Sequence, residues 1–331
     1  MKYDVYGIGN AIVDIVTQVE GDFFEKNGVE KGVMTLVDES RQDELMKHID
    51  LDKSMLIGGG SASNTVTAIS QFGGKCFYSC VVAQDDIGKF FLKDLAENKV
   101  ETNSKLETSP IGKSGRCLVM TSPEGQRTMN TFLGVSSSFS SEHLDINAVK
   151  NSSYVFLEGY LVATPRGLEG LKLMKRTAQK NDVKVALTFS DPSMVLYFPQ
   201  QMSEVVGTGV DLLFCNEEEA KIYTKSENLH EARRKLKELA HKFVITLGAN
   251  GALIYDGDTF IQIEPFKVPL VDTNGAGDMF SGAFLYGITN HHSYAEAGKL
   301  ASLASSKVVS QRGARLSQEQ ANETLEILIP E

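Results

Sequence analysis

A doubly wound α/β fold, with a three-layer αβα core around a mainly parallel sheet and a small β lid, is what the sequence predicts. Three observations carry that expectation. Short apolar runs alternate with helical patterns, most regularly from Tyr154 onward. Glycine-rich turns fall where strands hand over to helices, the edge at which such sheets bind ligands. Two segments, 15–37 and 109–131, are rich in β-branched residues and turns and lack a helical period. At 331 residues, 42% hydrophobic and 23% charged, the chain can bury such a core.

Val5–Ile8 opens the pattern as a strand. Ala62, Val66, Ile69 and Phe72 then recur at helical spacing up to Gly73–Gly74, a C-terminal stop. Cys76–Val82 reads as a strand, and Ile87, Phe91 and Leu95 share one face of a helix starting near Asp86. Tyr154–Leu157 is a strand; Thr164–Pro165 supplies an N-cap and a first-turn proline for a helix burying Leu168, Leu171, Met174 and Ala178. Strands at Val183–Phe189, Leu212–Cys215 and Lys242–Leu247 alternate with helices at Glu217–Tyr223 and Arg233–Ala240. Ala252–Tyr255 and Phe260–Ile263 flank the hairpin signal Asp256–Gly257, and helices at Gly275–Ile288 and Ala295–Val309 follow. The expected division is a core of residues 1–14, 38–108 and 132–331, with a lid of 15–37 and 109–131.

A net charge of −10 and a pI near 5.2 disfavour a nucleic-acid partner held by phosphate neutralisation. A small anionic ligand needs only a local positive site. Cys76, Cys80, Cys117 and Cys215 contain no CxxC pair, which points to reduced thiols in a cytoplasmic protein rather than to structural zinc. Asp4, Gly7, Gly9 and Asp14 interrupt the opening apolar run, so neither a signal peptide nor a membrane span is expected there.

The most specific motif is Asp272-Thr273-Asn274-Gly275-Ala276-Gly277-Asp278. The apolar register after it is helical, so glycines occupy a first helical turn, a cost on propensity alone. Close approach of a ligand to the backbone accounts for that choice, because free N–H groups at a helix N-terminus bind phosphate without a basic side chain. Asp278 stands at the edge of this cradle, where it can take a proton from an attacking hydroxyl. A helix with packing glycines and a first-turn acid is the competing reading.

Gly58-Gly59-Gly60-Ser61-Ala62-Ser63-Asn64 is the second motif. Gly58 and Gly59 would let backbone approach a polyol, and Asn64 would bond a hydroxyl or hold the turn in shape; a flexible loop capped by a serine competes. Asn216 and Glu219 follow a strand and suit a hydrated Mg²⁺, which uses few protein carboxylates, whereas Glu217 and Glu218 read as helix-dipole partners. Thr246, Gly248 and Gly251 form either a plain turn or a nucleotide wall. Asp14 is a candidate partner for sugar hydroxyls, and Arg127 for substrate or phosphate. Gly7-Ile8-Gly9-Asn10-Ala11-Ile12 lacks the third glycine of the dinucleotide fingerprint, and no GxxxxGK[ST] is present. His291 and His292 are assigned to solvent.

Taken together, these motifs resemble the PfkB, or ribokinase-like, family of carbohydrate and nucleoside kinases, most closely its adenosine-kinase branch. The resemblance runs nearly end to end. It rests on Gly58–Asn64 and Asp272–Asp278 in that order, supported by Asn216–Glu219, Thr246–Gly251, Val271–Asn274, and Tyr6–Asn10 with Asp14. It implies that an acceptor hydroxyl attacks the γ-phosphate of ATP, with Asp278 as base and Gly275, Ala276, Gly277 and Arg127 around the transferred phosphoryl. Asp14, Gly58, Gly59 and Asn64 would hold the sugar, Asn216, Thr246, Gly248 and Gly251 the nucleotide, and Glu219 the Mg²⁺. A monovalent cation near the loop beginning at Asp272 is a further possibility in such relatives. The base-pocket segments read Gly159-Tyr160-Leu161 and Ser190-Asp191-Pro192-Ser193, so only one offers an aromatic ring. The expected reaction is adenosine to AMP; a sugar kinase and a non-catalytic nucleoside sensor are the alternatives. A small-molecule substrate and a monomer or dimer, with no nucleic acid or membrane partner, complete the expectation.

Overall fold

The computed structural model describes residues 1–20, 22–122 and 127–328. In chain order its strands are β1 (Tyr3–Ile8), β2 (Ile12–Gln18), β3 (Met34–Leu36), β4 (Met55–Gly59), β5 (Cys76–Ser79), β6 (Glu101–Thr102), β7 (Gly115–Thr121) and β8 (Arg127–Phe132). They continue as β9 (Ser152–Glu158), β10 (Lys184–Thr188), β11 (Val210–Asn216), β12 (Ala240–Thr246), β13 (Ala252–Tyr255) and β14 (Phe260–Ile263). Among the described residues these form a nine-stranded sheet, in the order β14-β13-β12-β11-β10-β9-β1-β5-β6, and a five-stranded sheet, β3-β8-β7-β2-β4.

From β6 to β12 every pairing in the large sheet is parallel; only β13 runs against the others, pairing antiparallel with both β12 and β14. Side chains alternate across each strand, so a sheet covered on both faces must be apolar on both. Phe156, Ala186, Leu212, Phe214 and Val244 face the helices Ser61–Gln71, Ala276–Thr289 and Tyr294–Val309. Val155, Leu157, Val185, Leu187, Leu213 and Ile245 face Pro165–Lys180 and its neighbours on the other side. This is the expected three-layer αβα fold.

Local chemistry sets several boundaries. Thr164 accepts the Gly167 N–H and Pro165 opens the helix that buries Leu171, Met174 and Ala178, while Leu168 stays half-buried. Asp85 caps Asp86–Glu97 in the same way. The helix expected over Arg233–Ala240 instead spans Leu229–Leu236. Asn228 caps its start, and Ala240 is drawn into the sheet opposite Val210.

The small sheet is larger than the expected lid. It includes Ile12–Asp14 and β4, which had been placed in the core. The short glycine-ended β4 gives little periodic signal, and pairing with β2 defines it. Within 15–37 a one-turn helix, Phe23–Lys26, packs Phe23 and Phe24 against Ile15, Leu118 and Met120. The other face of the sheet carries Ile12, Cys117 and Val119. Among the described residues no helix is long and apolar enough to cross a membrane.

Phe284, fully buried, meets Phe214 edge-on at 5.9 Å and so anchors the helix Ala276–Thr289 to the large sheet. Phe284→Ala is expected to lower unfolding free energy by about 3–5 kcal/mol, read from chemical denaturation.

Candidate active site

The sheet reverses its winding direction at β1: the chain crosses to β5 on one side and to β9 on the other. A ligand crevice forms beyond the carboxyl ends of the strands at such a switch point. Glu158, Asn216 and Thr246 end β9, β11 and β12 at that edge, with Asn216 and Thr246 side by side in register.

Asp278 lies there. Gly275, at φ +74°, precedes the helix Ala276–Thr289, and a Cβ on it would stand 2.3 Å from the Ala314 Cβ. Only glycine satisfies both the left-handed backbone and that approach. The N–H groups of Gly277 and Asp278 have no acceptor among the described residues, and a Cβ on Gly277 would meet nothing within 4 Å. Two donors thus face open space at the positive end of a helix. The Asp278 carboxylate accepts the Ser61 hydroxyl at 2.6 Å and the Asn64 amide at 3.0 Å. Burial holds its pKa above the usual carboxylate range, against those hydrogen bonds and the charge of Arg315.

Asn64 is therefore committed at both ends, because its Oδ1 accepts Arg315 Nε at 2.9 Å. One N–H of its amide goes to the carboxylate of Asp278. Gly58 has an unforeseen role as well: a Cβ there would lie 2.2 Å from Asp94 Oδ2 and 2.8 Å from Arg315, so an ion pair fills its space. Gly59 does border Asp14, whose Oδ1 lies 3.0 Å from where its Cβ would be. Burial pushes Asp14 up to about 6, opposed by Arg127 and Arg315 and reinforced by Asp272 and Asp278. The small sheet thus brings Asp14 within electrostatic reach of Asp278.

Arg127, the first residue of β8, makes an ion pair with Asp272, whose side chain is 5% exposed. Asp272 also accepts the N–H groups of Asn274 and Gly313. Arg127 therefore ties the small sheet to the loop before the base. Gly125 and Gln126, which precede it in the sequence, lie outside the described residues.

Asn216 and Glu219 form a reciprocal cap: the Asn216 side chain accepts the Glu219 N–H, and the Glu219 carboxylate accepts the Asn216 N–H and amide, all within 2.8–2.9 Å. Burial raises Glu219 to about 7. Tyr160, half-buried between Asp191, Asp278, Glu158 and Glu219, links this corner to the base; its pKa is raised mainly by burial and further by those carboxylates. Asp191 caps Pro192–Tyr197, and Ser190 is held at φ +71°. Gly248 and Gly251 take positive φ around the turn Gly248–Asn250; Gly248 borders open space, whereas Gly251 packs on Ile263.

Two residues at the centre were not foreseen. Glu158 is fully buried and accepts the N–H groups of Asn10 and Ala62 and the Asn10 amide; burial raises it to about 7. A carboxylate closing the apolar run Tyr154–Leu157 was the signal for it. Arg315 joins Asn64, Ser63 and Asp94. Only its place just after Gly313–Ala314 hints at it.

A carboxylate beside unclaimed amides, at the switch point of an αβα sheet, is the arrangement of a phosphotransferase. The chain belongs to the pfkB family of carbohydrate kinases, whose pattern matches residues 35–321. Its fold matches the crystal structure of adenosine kinase from Sinorhizobium meliloti at 30% identity and TM-score 0.89, covering 98% of this chain and 99% of that one. A probable sugar kinase from Rhizobium etli CFN 42 matches at 30% identity and TM-score 0.88, over 98% and 99%. Adenosine kinase from Dictyostelium discoideum is 27% identical over 92% of this chain and 94% of its own. The chain is thus an adenosine-kinase-like phosphotransferase.

Gly275→Ala is expected to cost about 1–3 kcal/mol through backbone strain and overlap with Ala314. Gly277→Ala, with space for its methyl group, should stay within about 1 kcal/mol of the parent in denaturation yet lose turnover, since the methyl enters the amide cradle. The proton held by Glu158 gives a pH test. Its folded pKa of about 7 lies above the 4.5 of a free glutamate, so the folded state binds the extra proton. Its contribution to stability is full below 4.5 and is lost as pH rises through 7. Glu158→Gln should make the pH dependence of thermal melts between pH 5 and 8 shallower, leaving the part due to Glu219 and Asp14, on a lower baseline because one acceptor becomes a donor.

Proposed function

We propose that this kinase transfers the γ-phosphoryl group of ATP to a hydroxymethyl oxygen of a ribonucleoside, converting adenosine to AMP. The observation that carries the reading is the Asp278 carboxylate held beside the unclaimed N–H groups of Gly277 and Asp278. Asp278 takes the proton of the acceptor hydroxyl as its oxygen bonds to phosphorus. The bond from phosphorus to the bridging oxygen breaks, and ADP leaves. The amides of the first helical turn meet charge developing on the transferred group.

The small sheet supports this substrate class. Ile12, Asp14 and Val16 alternate onto one face, beside Cys117 and Val119. That face offers one carboxylate for ribose hydroxyls and apolar side chains for an uncharged base. Tyr160 adds an aromatic ring across the site. A sugar phosphate would ask for free cations, whereas Arg127 and Arg315 are paired with carboxylates.

Mg²⁺ would neutralise phosphate oxygens of ATP. Among the described residues no cluster of three His, Cys, Asp or Glu side chains is arranged as a metal cage, which suits an ion carried largely by substrate and water. Glu219 keeps lone pairs beyond those Asn216 occupies and would hold one of its waters. Asn216, Thr246 and Gly248 line the edge where the nucleotide would lie, and Arg127 closes the small sheet over it as a lid. The monovalent cation belongs to the same proposal and is tested by exchanging K⁺ for a bulky quaternary ammonium ion.

Incubating the protein with ATP, Mg²⁺ and a panel of adenosine, other nucleosides, ribose, fructose and their phosphates, with products identified by mass, tests the reading. AMP from adenosine is the expected main product, and a phosphorylated sugar in its place would overturn the substrate class. Asp278→Asn is expected to lower kcat by about 10²–10⁴-fold, the range for loss of a general base. A near-normal rate would remove Asp278 from that role.

A further inference from the structure

Arg315 sits far along the chain from the two glycine motifs, yet its side chain is only 9% exposed and all three guanidinium nitrogens are engaged. NH1 binds Asp94 Oδ2 at 2.6 Å, NH2 binds Ser63 Oγ at 3.1 Å, and Nε binds Asn64 Oδ1 at 2.9 Å. A guanidinium carries donors and no acceptor. The Asn64 amide must therefore turn its oxygen toward Arg315, which leaves its nitrogen facing the carboxylate of Asp278. The flipped amide would set N–H against N–H on one side and oxygen against carboxylate on the other. Asp94 anchors the guanidinium from the helix Asp86–Glu97, and Gly58 leaves room for the pair.

We propose that Arg315 is a positioning residue for phosphoryl transfer, locking the Asn64 amide in the one orientation that donates to Asp278. The inference rests on Asp278 acting as the base. It separates orientation of the base from its chemistry: Asp278 moves the proton, and Arg315, acting through Asn64 and together with Ser61, holds that carboxylate in place. The charged and titratable groups facing Asp278 are Arg315, Asp14, Glu158, Tyr78 and Tyr160. Among these Arg315 is the cation, so its loss also favours protonated Asp278.

The test uses Arg315→Met, Asn64→Ala and the double variant, with Asp278→Asn as reference, in steady-state assays of adenosine phosphorylation across pH. Arg315→Met is expected to lower kcat by on the order of 10–100-fold, as for a misplaced reacting group, with KM for ATP little changed. The acid limb of its kcat profile should move to higher pH. In the Asn64→Ala background the same substitution should cost much less, because the two residues act as one unit. Arg315→Lys, which keeps the charge, should return the acid limb toward the parent and recover kcat only partly; it also supplies the readout if Arg315→Met does not fold. Full kcat and an unmoved acid limb in whichever of the two variants folds would overturn the proposal, as would fully additive losses in the double variant. If Asp278→Asn itself keeps its rate, the assignment of the base fails first, and the two failures are told apart.

Discussion

Everything at the site depends on the close approach of two helices at Gly282. A Cβ there would lie 2.6 Å from the Ala68 Cβ and 2.7 Å from the Thr65 carbonyl oxygen, so Ala276–Thr289 and Ser61–Gln71 pack almost backbone to backbone. Each helix starts from a glycine with positive φ, Gly60 at +89° and Gly275 at +74°. Their N-terminal turns consequently meet, and Ser61 and Asn64 from one reach Asp278 on the other. A larger residue at 282 would part them, and the carboxylate would lose its holders.

The same convergence explains how an acidic protein manages an anionic substrate. Asp14, Glu158, Glu219 and Asp278 are all pushed toward the neutral form, chiefly by burial. Burying a carboxylate is costly unless donors meet it, and here backbone N–H groups and amides do so for Glu158 and Glu219. Arg127 and Arg315 spend their charge on Asp272 and Asp94 and so act as struts. The first-turn amides of Gly277 and Asp278 remain as unclaimed donors that need no net positive charge.

How much of this was legible in the sequence follows from how local each signal is. The turn Gly275–Asp278 and the helix after Gly60 could be read because glycine, helical period and acid lie within a few positions of one another. The parallel sheet was equally readable from alternating elements. Gly58 reads in the sequence as room for a polyol, whereas the neighbour of its Cβ position is the Asp94–Arg315 pair, which no local pattern announces. Arg315 and Asn64 are 251 positions apart, and Asn10 and Glu158 are 148 apart. Such partners are chosen by packing, so spacing is silent about them. The boundary of the small sheet failed for a related reason: β4 is defined by its pairing with β2 rather than by a period of its own.

The order in which the molecule is made has a consequence of its own. Among the described residues all fourteen strands end before residue 264, while Asp278 and Arg315 come after it. Domains emerge from the ribosome N-terminal end first. A nascent chain can therefore hold the whole described strand complement, with the glycine turn of Gly58–Gly60 already made, and still lack Asp278. The helix that carries this carboxylate arrives with the last fifth of the polypeptide, so synthesis cut short leaves a scaffold without it.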